Sequence, residues 1–327
     1  MKRKIVLNSS IAKALGDFIK LKQLAGYDYN ASGLSLMRFD QFLSKKSYNQ
    51  NFIDENIVNE YLKSISYLHI RGQANYYGAL RLFSIWLKQY KEKSFILEKK
   101  FKVDRCHSRP AYIFSHEQIR EFLFKSKYSK QVEKVHNLYY VLFSLLYSTG
   151  IRINEALSIN VEDYKVKEKV IHIKNGKFKK ERFLVLSKSM DSVLSSYISR
   201  YKKKVLISMS SPLFVGMGNR RLIYNCVQPR FKSLLKAANI PMAQGYEPRI
   251  HDVRHTMAVH CLLRWYKKKE NIYNKLPYLS TYMGHVKITS TQVYLHATSD
   301  LLQYGSDNFH YLYFNKPNKE KQEGEEL

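Results

Sequence analysis

Six side chains of this 327-residue chain have the types and the order needed to break a phosphodiester bond. Tyr294 stands nine residues after His285, in a run that begins Met283-Gly284-His285. Upstream lie Arg152 in Thr149-Gly150-Ile151-Arg152, Lys177 after the Asn175-Gly176 pair, and His251 with Arg254 in His251-Asp252-Val253-Arg254-His255-Thr256. A phenol is neutral at pH 7, with a free pKa of about 10. It becomes a nucleophile only beside cations or a base. Two arginines would clamp non-bridging phosphate oxygens from separate directions and stabilise charge in the transition state. A lysine ammonium near the phosphate would protonate a leaving alkoxide. Each residue also has an ordinary reading. Tyr294 is one of 26 tyrosines, most of which serve amphipathic packing, and Lys177 sits in a charge run. The order and spacing of the set outweigh those readings.

The chemistry requires elements that hold these groups together. Arg152 is expected at a helix start just after Gly150, where a guanidinium joins free backbone N–H groups as an anion site. Glu155 follows one turn later and is placed to hold another site group. Val170-Ile171-His172-Ile173-Lys174 and Phe183-Leu184-Val185-Leu186 alternate as strands, and Asn175-Gly176 between them is a turn signal. Lys177 therefore belongs to a hairpin tip. Its neighbours Lys179, Lys180 and Arg182 read as contacts to nucleic-acid phosphates that add affinity. His251 and Arg254, three residues apart, share a face of one helix predicted over 251–267. Gly284 should end the helix before His285. Tyr294 then falls on a helix over 288–304, with Thr289, Ser290 or Thr291 as caps.

Around these elements the chain divides. Residues 9–97 carry apolar residues at helical spacing in four or five stretches, with Ser9 or Ser10 as a cap for the first helix and Asp54 for the third. Gly26 reads as a helix end. Residues 98–113 are charged and contain Ser108-Arg109-Pro110, which cannot continue a helix, so they read as a linker. Ser115 with Gln118 forms a capping box that opens a second, mixed domain over 114–305. Residues 306–327 form a tail whose end is low in apolar residues. The fold class expected is mainly α with a small β-sheet.

Composition narrows the partner. Fifty-five Lys and Arg against 27 Asp and Glu leave a net charge of +28. The excess is spread over both halves of the chain, so it is not a basic tail, and a polyanion wrapped by both domains is the natural partner. Three cysteines, Cys106, Cys226 and Cys261, match no metal-ligand spacing and fit a reduced compartment. The first residues lack the apolar run of a signal peptide, and no stretch reaches the ~18 apolar residues of a membrane span. Phosphate-binding Gly-rich loops and zinc-protease motifs are missing too.

Taken together, these motifs resemble the tyrosine recombinase (phage integrase) family over roughly residues 10–305. The resemblance rests on Thr149-Gly150-Ile151-Arg152 with Glu155-Ala156-Leu157, Gly176-Lys177 through Arg182, His251 to Thr256, and Gly284-His285 followed by Tyr294. Phe178 departs from it, because glycine is common there, and this bears on Lys177. The resemblance implies a helical, SAM-like core-binding domain over 9–97 and a catalytic domain over 114–305 that together clamp double-stranded DNA at specific recombination sites. It implies attack by Tyr294 to give a 3′-phosphotyrosyl link, a phosphate held by Arg152 and Arg254, hydrogen bonds or proton movement by His251 and His285, and Lys177 as general acid. No metal and no cofactor are implied. The family works as a homotetramer on DNA, and its C-terminal segment often docks on a neighbouring subunit. An accessory directionality factor would be a further partner, and a cytoplasmic, nucleoid-associated location in a bacterium follows. The role expected is integration or excision of a mobile element, since no arm-binding extension precedes the helical domain. Xer-like chromosome resolution, DNA inversion, a type IB topoisomerase-like activity and a catalytically silent architectural protein are the alternatives.

Overall fold

A computed structural model describes residues 5–97, 110–128, 137–174, 181–202, 208–216, 218, 220–242, 245–285, 288–292 and 294. The chain divides into two compact units, residues 1–109 and 110–327. The division falls inside the segment expected to be a linker.

Among the described residues, the first unit contains four helices: α1 (Ala12–Leu24), α2 (Asn30–Lys45), α3 (Glu55–Ser64) and α4 (Ile70–Lys88). Each turns its periodic apolar residues into one core built on Leu15, Phe18, Leu36, Phe39, Leu43, Val58 and Phe83. Asp54 caps α3 as expected, its carboxylate accepting from the Ile57 N–H at 2.8 Å. Neither serine caps α1. Its N-cap is Ile11, with no side-chain bond. Ser9 instead donates its hydroxyl to Asp40 of α2 at 2.5 Å, and Ser10 donates to the Tyr48 and Gln50 carbonyls. The hydroxyls serve tertiary acceptors some 30 to 40 residues away rather than the local helix end. Gly26, with φ +86°, terminates α1 in the left-handed region as expected.

The second unit is helical around a small sheet. It contains α5 (His116–Tyr128), α6 (Leu138–Thr149), α7 (Ile153–Ser158), β1 (Tyr164–Lys165), β2 (Val170–Ile173), β3 (Arg182–Val185), α8 (Lys188–Lys202), α9 (Tyr224–Ala237), α10 (Ile250–Lys267), α11 (Ile272–Met283) and the short α12 (Thr289–Gln292). The capping box forms at α5: the Ser115 N–H donates to the Gln118 side chain, and the Gln118 N–H donates to the Ser115 hydroxyl. The sheet is antiparallel in the order β1-β2-β3. The two-residue β1 is too short to leave an alternating pattern in sequence. The register sets Ile171 opposite Leu184 and Ile173 opposite Arg182. Ile171, Ile173 and Leu184 lie on the core face. α6 is apolar on nearly every side and is the central helix of the larger core, from Phe114 through Val253. A second cluster joins α10 and α11 through Met257, Leu262, Leu276 and Met283, and includes Tyr294. Of the helix predicted over 288–304, α12 and Tyr294 are described. Residues 295–305 and the 306–327 tail lie outside the described residues.

Candidate active site

The site is assembled where three helix ends meet. α6 stops at Gly150, which adopts φ +63° and exposes its carbonyl. Its positive φ favours glycine, and a Cβ there would have to displace the Met257 methyl, 2.0 Å away. The chain turns through Ile151, and Arg152 becomes the N-cap of α7. Glu155, one turn on, is only 5% exposed. It accepts from the Arg152 guanidinium at 2.9 Å and from the Arg152 N–H at 3.3 Å. Burial pushes the Glu155 carboxyl up, but bonds and charge from Arg182 and then Arg152 outweigh it and hold the group below its ordinary value.

α10 carries the second cluster. Arg249 bonds Asp252 at 2.8 Å and closes the start of the helix. Arg254 is buried to 2% exposure. It donates to the Gly150 carbonyl, and to the Met283 carbonyl at 2.8 Å. Arg152 donates to the Gly284 carbonyl at 3.1 Å. These bonds join α7 and α10 to the C-terminus of α11, where helix carbonyls lack intrahelical partners. A guanidinium carries five N–H groups, so cations anchored by two of them keep further donors for an anion. Desolvation lowers the Arg254 pKa to about 10, helped by the charge of Arg152. Arg254 remains cationic at neutral pH.

Three histidines complete the pocket. His255 places Nδ1 3.1 Å from the Tyr294 hydroxyl. His251 stands edge-on to His255, with ring centroids 4.7 Å apart. His285 bonds Thr291 at 2.8 Å through Nδ1 and stacks near Tyr294, at 6.2 Å between centroids. Desolvation first, then Arg254 and Arg152, lowers the His285 pKa to about 4. His251 is more open to solvent and is depressed in the same direction, by desolvation and then by His255 and Arg254. His255 is also lowered, chiefly by burial. All three are neutral imidazoles at pH 7 and can accept a proton. Burial raises the Tyr294 pKa above its ordinary value, while Arg254 and then Arg152 pull against that rise. In this arrangement Tyr294, 4% exposed, is a protonated phenol beside a neutral base.

Five of the six residues singled out from sequence, Arg152, His251, Arg254, His285 and Tyr294, are thereby linked through direct or one-residue contacts. Lys177, Lys179 and Lys180 lie outside the described residues. Arg182 departs from expectation. Rather than facing outward as a phosphate contact, its side chain is 12% exposed and bonds Glu155 at 2.7 Å. The cause is the β-sheet register, which sets Arg182 opposite the buried Ile173, on the core face of β3. His255 was part of the recognised motif but was given no role. Its spacing of four from His251 was the available signal, since i and i+4 share a helix face.

Comparison with known proteins identifies the family and the fold. The phage integrase family profile matches residues 113–300. A Sinorhizobium fredii protein named an integrase/recombinase, y4rB, is 26% identical over 306 residues, covering 90% of this chain and 95% of its own length. Among solved structures, the XerH site-specific recombinase bound to its difH substrate superposes with a TM-score of 0.63 at 21% identity, over 92% of this chain and 85% of that one. The Tn1549 transposon integrase in complex with a circular-intermediate DNA gives 0.65 at 18% identity, over 92% and 100%. These two likenesses concern the fold.

Proposed function

This chain belongs to the phage integrase family and is a tyrosine site-specific recombinase, and from that premise we propose that Tyr294 is its nucleophile and a DNA phosphodiester its substrate. The observation that carries the reading is the pocket itself. Two arginines, a phenol and neutral imidazoles converge although 142 residues of sequence separate Arg152 from Tyr294. Arg152 and Arg254 hold the non-bridging oxygens, whose charge grows as the phosphorus becomes five-coordinate. His255 takes the phenolic proton as the Tyr294 oxygen forms its bond to phosphorus. His251 and His285 donate to or orient the phosphate. The bond to the 5′ oxygen breaks, Lys177 supplies the proton to that oxygen, and a 3′-phosphotyrosyl link remains. Attack by a 5′-hydroxyl from another strand reverses these steps. One phosphodiester is exchanged for another, so no energy-rich cofactor is called for.

The partner is double-stranded DNA carrying recombination sites, contacted by the helical unit, by the catalytic unit and by Lys179 and Lys180. The working form is a homotetramer on DNA, and an accessory directionality factor would bias the direction of exchange. The biological role that fits best is integration or excision of a mobile element, supported by the likeness to y4rB over nearly the full length of both chains. Xer-type resolution is the second reading, supported by the shared fold of XerH.

Nicked duplexes with randomised cores test the chemistry and reveal the site together. Cleavage next to the nick releases a short fragment and traps the covalent adduct. Wild type is expected to form an adduct that survives denaturation, and Tyr294→Phe to form none. Adducts from both proteins, or from neither, would remove Tyr294 from its role.

A further inference from the structure

Three consecutive carbonyls at the end of α11 each accept from a different arginine. Arg182 Nε donates to Tyr282 at 3.2 Å, Arg254 to Met283 at 2.8 Å and Arg152 to Gly284 at 3.1 Å. These are the carbonyls a helix C-terminus leaves without intrahelical partners, at the negative end of its dipole. Two of the three arginines are the proposed phosphate clamp. The third, Arg182, comes from β3.

Arg182 reaches the clamp by two further routes. Its Nη2 bonds Glu155 Oε2 at 2.7 Å, and the other oxygen of that carboxylate accepts from Arg152 Nη1 at 2.9 Å. One buried carboxylate therefore fixes both guanidiniums side by side. Arg182 also lies against Gly284, where a Cβ would come within 2.9 Å of its Cζ and Nη1. Gly284 adopts φ +70°, so the turn that leads to His285 and Tyr294 is shaped to admit this side chain. A second tie backs the first: the Tyr282 hydroxyl donates to the Val185 carbonyl of β3 at 2.9 Å. The charges point the same way. Arg152 and Arg182 share one carboxylate and Arg254 bonds backbone carbonyls, which leaves a surplus of positive charge next to the pocket for an anion to neutralise.

We propose that Arg182 is a positioning residue of the recombination reaction. It locks Glu155 and the end of α11 together and so fixes where Arg152 stands when the phosphate arrives. Arg182 touches neither the phosphate nor Tyr294. It acts through Glu155 and the Gly284 turn. The proposal rests on the reading of Arg152 and Tyr294 given above. Misplacing a clamp by about 1 Å costs on the order of 100-fold in rate.

The test uses the full chain and the nicked duplex recovered above, and measures DNA affinity against salt and single-turnover cleavage at saturating DNA. Arg182→Ala and Arg182→Lys should bind with wild-type affinity and salt slope but cleave about 10- to 100-fold more slowly. Lysine keeps the charge but cannot make the paired bonds. The double variant of Arg182→Ala with Glu155→Gln should fall no further than the worse single. A phosphate contact would behave in the opposite way: affinity drops, the salt slope shrinks by about one, and saturated cleavage holds. That result overturns the proposal, as would a double variant whose losses multiply. If the alanine variant fails to fold, Arg182→Lys alone decides between the two. A wild-type protein that forms no adduct removes the underlying reading, and the proposal with it.

Discussion

The two units bury different kinds of side chain. The helical unit is a packed apolar core in which Asp40, Ser84 and Ser94 are the buried polar groups among the described residues. Asp40 is satisfied from one short segment before α1, by the Asn8 and Ser9 N–H groups and the Ser9 hydroxyl. The catalytic unit buries Arg254, Glu155, Asp252 and His260. Buried charge is costly unless paired and hydrogen-bonded. Here the pairing partners come from several distant elements. The first unit gains stability from what it buries. The second gives some up to hold cations and neutral imidazoles in water-poor positions, where in the proposed reaction they would act more strongly on an incoming phosphate.

Three substitutions probe that contrast, beginning with the largest effect. Phe39 is fully buried and packs edge-on against Tyr61 at 4.9 Å. Phe39→Ala should destabilise the helical unit by about 3–5 kcal/mol. Denaturant unfolding followed in wild type and variant measures it, and a loss under 1 kcal/mol would mean that this core is not what holds the unit. Arg254→Lys comes next. It keeps the charge but loses the fork that bonds Gly150 and Met283. Single-turnover cleavage should fall about 100- to 1,000-fold, as when one transition-state donor is removed. Wild-type cleavage by the lysine variant would reduce Arg254 to a source of charge.

The smallest effect is a pH dependence confined to the catalytic unit. His260 is 7% exposed, bonds Tyr147 at 2.9 Å through Nδ1 and stacks on His116 at 3.9 Å. Desolvation, followed by the charge of His116, lowers its pKa to about 4. In the unfolded chain the same imidazole takes a proton near 6.5. Between those values the unfolded state binds more protons, so stability is complete above pH 6.5 and declines as pH falls toward 4. The loss for His260 is roughly 2–3 kcal/mol by that linkage. His260→Gln, which does not titrate, should reduce the slope in urea unfolding at a series of pH values, leaving the part that His251, His255 and His285 contribute. The helical unit buries no histidine among its described residues, His69 being exposed at the start of α4. It should show no comparable slope. A slope of equal size there would erase the distinction between the units.

Sequence legibility follows the same division. In the helical unit the apolar periodicity of residues 11–87 identifies the core, because each helix buries a face written every three or four residues. The serines near residue 10 misled, because a cap is a local bond while Ser9 and Ser10 found tertiary acceptors. In the catalytic unit the ends of α6, α10 and α11 could be read from Gly150, the His251–Arg254 spacing and Gly284. The inward turn of Arg182 could not. A cation in a run of cations looks solvent-facing, and the pairing of β3 with β2 shows that Arg182 starts the strand on its core face.

The sequence by itself determined which groups exist, in what order, and on which elements they ride. Those are properties of residue type and local spacing. Tertiary structure decided which donor meets which acceptor. Arg182 finds Tyr282 across 100 residues, Arg254 finds Gly150 across 104, and Arg152 finds Gly284 across 132. No local periodicity encodes a bond over such separations. It forms because packing the apolar faces of α6, α10 and α11 brings the C-terminal ends of α6 and α11, whose carbonyls need donors, to the start of α10.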